Sequence, residues 1–144
     1  MIAQLSLPVS IRSHSFTSGS TKEEICKSFS SHLPEPTTTT VDGFVGIISD
    51  ETVAWSPHIG QWTDAREIIT HMFVLDFDGQ PWDGTVSHIK ELQLPQPSIL
   101  YRTQSDSGGD VPDYYRLIWL IDRQVRLSKK QYQTIYRQYA KALA

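Results

Sequence analysis

The chain has 144 residues, 39% of them apolar and 20% charged, with 13 basic and 16 acidic side chains and a formal net charge of −3. That is one domain's worth of ordinary globular composition, and the small negative charge argues against bulk attraction to nucleic acid. No run approaches the roughly 18–20 apolar residues that a membrane span requires, and the N-terminus lacks a basic-then-apolar leader pattern, so a cytoplasmic protein with no membrane partner is expected.

Residues 1–20 are rich in Ser and Thr and read as an irregular or edge-strand lead-in, with Gln4–Ile11 as its candidate strand. Thr21 followed by Glu24 forms a capping box, with two acids at the positive end of the helix dipole. Ile25, Phe29 and Leu33 recur every four residues, predicting a helix over 22–33 with one apolar stripe. A single cysteine, Cys26, excludes an internal disulfide and a zinc site of its own; it is expected as core filler. Pro34-Glu35-Pro36 ends the helix, and Thr37–Thr40 reads as loop or extended chain. Phe44–Ile48 reads as a strand paired with Thr52–Trp55 across Ser49-Asp50-Glu51. His58 lies in the Ser56–Gln61 loop, read as an exposed loop histidine with a ligand role as the alternative.

From residue 68 the pattern tightens. A strand over 68–77 leads into the turn-rich Gly79–Gly84. Thr85 is expected to open a helix with Val86, Ile89 and Leu92 on one face, closed by Pro95 and Pro97. Ser98–Thr103 is the next strand, Gln104–Pro112 a polar hairpin loop, and Tyr114–Ile121 the most strand-like run of all. Ser128 and Gln131 form a second capping box, and Tyr132, Ile135, Tyr136, Tyr139 and Leu143 keep helical spacing. Those tyrosines read as helix packing, with base stacking as the alternative.

After Asp122 come Arg123, Arg126, Lys129, Lys130, Arg137 and Lys141 with no acid among them, leaving 7 basic and 16 acidic side chains in the first 122 residues. A basic segment on an acidic body is a local footprint of the kind nucleic acid exploits, although a solvated helix face has the same composition. The order strand, helix, strand, strand, helix over 68–144 predicts an α+β fold. It would be a two-layer sandwich with a ferredoxin-like, RRM-like βαββα core lacking its last strand. Residues 1–67 would pack on it as an N-terminal αββ extension. Either the sheet ends there, or the chain is part of a longer polypeptide continuing past Ala144.

The chemistry concentrates in Met72–Gly79, an apolar strand ending in Asp76, Asp78 and a glycine. Side chains alternate along a strand, so Asp76 and Asp78 emerge on one face and Phe77 on the other. Two carboxylates sharing a small volume call for a cation between them, and an all-oxygen site suits Mg²⁺ or Mn²⁺. The plain alternative is a turn, since Asp and Gly after a strand are common turn residues. His71 leaves on the face opposite the two acids and reads as a packed histidine; Trp82, Asp83 and His88 are candidates for the rim.

Met72–Gly79, Tyr101–Ser105 and Tyr115–Asp122 together resemble the archaeo-eukaryotic primase superfamily, particularly primase-polymerase domains of plasmid and phage replication proteins. The likeness covers roughly residues 55–144. It implies that Asp76 and Asp78 are catalytic metal ligands, that Thr103 and Ser105 meet the nucleotide, and that Arg116 contacts phosphate. Where the family places a histidine against the triphosphate this chain has Asp106, taken as a third metal-ligand candidate. The family's third-motif acid would lie on a strand after the last helix. The resemblance further implies a DNA or RNA template, nucleotides, and a helicase or other replication protein as partner; the charge of the basic segment offers Arg123, Arg126, Lys129, Lys130 and Arg137 as its candidate nucleic-acid contacts.

Two-metal nucleotidyl transfer needs carboxylates that hold ions about 3.5–4 Å apart, and normally a third acid completes the pair. Two rivals remain open. One is a catalytically degenerate primase-like module that binds nucleic acid or a partner through its basic C-terminal helix. The other is a phosphatase of the haloacid-dehalogenase class, with Asp76 as nucleophile and Asp78 as general acid. Gln80 departs from the threonine that class carries, and no paired acids follow a later lysine.

Overall fold

The computed structural model describes residues 8–17, 19–31, 33–50, 52–59, 67–103 and 105–143. Among the described residues the fold is mixed α+β, with four helices and two small antiparallel sheets. Two compact units are distinguished by their contacts: residues Met1–His71 with Asp122–Leu127, and Met72–Ile121 with Ser128–Ala144. Asp122–Leu127, a stretch of the basic segment, belongs to the first unit.

In the first unit, β1 (Val9–Ser15) lies between β2 (Thr37–Thr39) and β3 (Val53–Ser56). Both pairings are antiparallel, Ile11 standing opposite Thr37 and Ser13 opposite Trp55. Both faces of β1 are covered near its start, where Val9, Ser10, Ile11 and Arg12 are all buried. The buried Arg12 guanidinium donates from Nη1 to the Pro34 carbonyl and from Nη2 to the Ile59 carbonyl, which offsets part of the cost of a charge inside. Helix α1 (Lys22–Ser31) opens with the expected reciprocal bonds between Thr21 and Glu24. Of its expected stripe, Ile25 and Leu33 are half-buried, and the Phe29 side chain lies outside the described residues. Cys26 is exposed, not core, because one residue of helix turns it about 100° from Ile25.

The main departure is α2 (Val41–Ile48), a helix where Phe44–Ile48 reads as a strand. Thr40 caps it by accepting from the Gly43 amide, and Asp42 sits in the positive first turn. Val41, Phe44 and Ile48 are buried at the three- and four-residue steps of a helix face, and Phe44 meets Trp55 edge-on at 5.2 Å. The run of β-branched residues suggests strand, but the capping threonine and the spacing prevail. Among the described residues the expected αββ extension is instead βαβαβ, with β3 paired to β1.

The second unit holds most of β4 (Glu67–Asp78), helix α3 (Trp82–Glu91), β5 (Ile99–Arg102), the first half of β6 (Tyr114–Ser128) and helix α4 (Lys129–Ala142). The strands are ordered β4-β6-β5, with Leu100 opposite Leu117 and Tyr101 opposite Arg116. Odd-numbered residues of β4 and β6 enter the core: Leu75, Phe77, Tyr115, Leu117 and Trp119 pack with Ile89 of α3 and with Leu143. Phe73 is ringed by Trp119, Tyr132, Tyr136 and Tyr139 at 5.2–6.4 Å between centroids. The tyrosine stripe of α4 thus serves packing. Thr85 does not open α3, as expected, but lies one turn inside it, fully buried and accepting from the Tyr115 hydroxyl at 2.6 Å. The Ser128–Gln131 capping box forms as expected. β6 runs seven residues past the expected Ile121, so Arg123 and Arg126 sit on a strand.

Candidate functional site

The second face of this sheet is buried at Met72 and Ile118 and opens at Asp76, Asp78 and Arg116. Asp76 and Asp78 flank the buried Phe77, so both carboxylates leave β4 on the solvent side. Gly79 then adopts φ +76°, a conformation that a side chain would strain, and its amide and that of Gln80 both donate to the Asp113 carbonyl. Trp82 donates likewise to the Pro112 carbonyl at 2.8 Å, so the segment after β4 is tied to the segment before β6.

Arg116 stands on the same face. Its Nε donates to Asp76 Oδ1, its Nη1 donates to the Tyr101 hydroxyl at 2.7 Å, and its guanidinium carbon lies 5.6 Å from the Tyr101 ring centroid. Burial opposes the Arg116 charge, but Asp76 and Tyr101 outweigh it, so its pKa is raised from the ordinary value. Antiparallel partners share a face, which puts Thr103, paired through its amide to the Tyr114 carbonyl, beside Arg116. The Tyr114 hydroxyl comes close to Gly79, 3.5 Å from where a Cβ would stand. One sheet face therefore gathers Asp76, Asp78, Arg116, Tyr101, Thr103 and Tyr114. The two tyrosines escape a sequence reading; their only signal is the i, i+2 relation of Tyr114 to Arg116 and of Tyr101 to Thr103.

Asp106 does not join them. Its carboxylate, only 4% exposed, accepts from Arg102 at 2.8 Å and from the amides of Gly108, Asp113 and Tyr114 at 2.9–3.2 Å. The Asp113 amide above all, against the opposing effect of burial and with help from Tyr114, Gly108 and Arg102, holds this carboxyl well below the usual range. Each oxygen already takes two hydrogen bonds, so this acid organises its own loop. Ser105 is exposed at the start of that loop, and its neighbour Gln104 lies outside the described residues.

Among the described residues, no group of three or more His, Cys, Asp or Glu side chains converges as a metal site. Two exposed carboxylates one residue apart on one sheet face are hard oxygen donors, of which Asp76 already accepts from Arg116, and they lack the third acid that a pair of ions would need. His71 is buried and its pKa lowered by desolvation, and the Trp82 ring packs edge-on against Tyr115 at 5.7 Å. His88 is half-buried, and Asp83 spends a carboxylate oxygen on the Gly84 amide. His58 is half-buried, not exposed, and desolvation lowers its pKa.

Arg123, Lys129, Lys130 and Arg137 are exposed, as is Lys141, while Arg126 pairs with Glu67 at 2.9 Å. No protein-family model, curated protein or solved structure matches the chain.

Proposed function

We propose that the open face of β4 and β6 is a metal-assisted nucleotide site of primase-polymerase type, acting in nucleic-acid synthesis on a DNA or RNA template. The observation that carries this reading is the placement of Asp76, Asp78 and Arg116 on one exposed sheet face: hard acceptors for a cation beside a cation for phosphate. The strand order β4-β6-β5 supports it too, since a helix linking β4 to β5 with β6 between them is the split βαβ arrangement of the RRM-like core.

In this reading Asp76 and Asp78 hold one Mg²⁺ or Mn²⁺, which when bound would neutralise phosphate oxygens and acidify an attacking hydroxyl. Arg116 grips phosphate in a planar fork, seated on the Tyr101 ring. Thr103 and the Tyr114 hydroxyl are neutral donors at its border. Primer extension with Mn²⁺ and labelled nucleotides tests the reading. The wild-type chain should incorporate label, and Asp76→Ala should reduce the rate by about 10²-fold or more, the scale for losing one electrostatic contact to a transition state.

Asp106, fully engaged by its loop, favours a second reading: a binding module with the nucleotide site retained and transfer lost. Undetectable extension together with retained oligonucleotide binding in both wild type and Asp76→Ala selects that reading.

A further inference from the structure

We propose that Arg116 is a latch on the metal site: it occupies Asp76 in the ligand-free chain and yields it only to a triphosphate, so that cation and nucleotide bind together. This rests on the nucleotide-site reading above. A cation approaching the β4 edge meets one carboxylate, Asp78, that is exposed, and a second, Asp76, that already accepts from the Arg116 Nε. It must share Asp76 with a fixed positive charge, which lowers its affinity. Phosphate changes the balance, because a guanidinium binds phosphate oxygens as well as carboxylate, in the same fork geometry. The Tyr101 hydroxyl and ring keep Arg116 seated while its Nε changes partner. By linkage, whatever the triphosphate does for the cation, the cation does for the triphosphate.

The test is Mn²⁺ titration followed by the paramagnetic resonance of the free ion. Arg116→Gln should bind Mn²⁺ alone roughly tenfold more tightly than wild type, within the usual range of coupling between sites. Adding Asp76→Asn should cancel that gain. Equal or weaker binding by Arg116→Gln with an unchanged circular dichroism spectrum overturns the latch and leaves the metal site standing. Failure of Arg116→Gln to bind Mn²⁺ at all, and of wild type to bind it with a nonhydrolysable triphosphate, overturns the nucleotide-site reading and the latch with it. Should Arg116→Gln not fold, the wild-type chain carries the test through the Arg116 Nε–H nitrogen-15 resonance. It should move on adding Mg²⁺ with the triphosphate and stay in place with Mg²⁺ alone; movement with Mg²⁺ alone, or with neither, overturns the latch.

Discussion

Asp106 shows how one side chain can define a loop. Four donors converge on its two oxygens, three of them the backbone amides of Gly108, Asp113 and Tyr114. Asp106→Asn keeps the shape but replaces one acceptor oxygen with an NH₂ donor facing amides, so thermal unfolding should shift down by several degrees. The pH dependence follows from the depressed pKa. The stabilisation is complete above the ordinary Asp value of about 3.9 and is lost as pH falls through the lower folded value. Melting curves of wild type and Asp106→Asn should therefore stay apart from neutral pH down to about 4 and converge only in stronger acid. A constant gap down to pH 2, or none at pH 7, would contradict this role.

At the scale of elements, α2 offers the sharpest comparison because it carries two glycines in different surroundings. A Cβ on Gly46 meets nothing within 4 Å, whereas one on Gly43 falls 2.0 Å from Thr39 Oγ1 and 3.3 Å from Thr39 Cβ. Gly46→Ala should raise stability by about 0.5–1 kcal/mol, the ordinary helix-propensity gain, as read by urea denaturation. Gly43→Ala should lose that gain to crowding against Thr39, and an equal rise in both would mean the segment is not this helix. The same element marks how far sequence alone reaches. Both capping boxes, β4 and the packing face of α4 follow from local chemistry and periodicity, and they form as read. In α2 the β-branched composition masks a three- and four-residue spacing that only burial against β1, β2 and β3 makes decisive. β6 outruns its apolar stretch because strand pairing continues through Asp122-Arg123-Gln124, where side-chain pattern stops signalling it. The candidate site divides in the same way. Asp76, Asp78 and Arg116 are legible as motifs, but the pairing that sets Tyr101 beside Arg116 and the loop that absorbs Asp106 are long-range facts.

For the whole molecule, the question is what an acidic chain does with a basic C-terminal segment. The outer face of α4 answers by geometry: Lys130, Thr134, Arg137 and Lys141 are exposed at steps of four, three and four residues, on the side opposite Tyr132, Tyr136 and Tyr139. The α4 helix contains no acid to neutralise this stripe, whereas Arg126 on β6 is already paired with Glu67. Tyr132 is desolvated, its pKa pushed up to about 12, so the aromatic face is spent on Phe73. On the nucleic-acid reading proposed above, binding to a single-stranded oligonucleotide should be electrostatic. With three stripe cations each displacing counterions, the log–log dependence of affinity on salt should have a slope of about −2, at roughly −0.7 per phosphate neutralised. Lys130→Glu with Arg137→Glu should remove most of that slope, while Tyr136→Phe, which leaves the stripe intact, should not change it. Binding that ignores salt, or that survives the double charge reversal, would move the nucleic-acid surface off this helix.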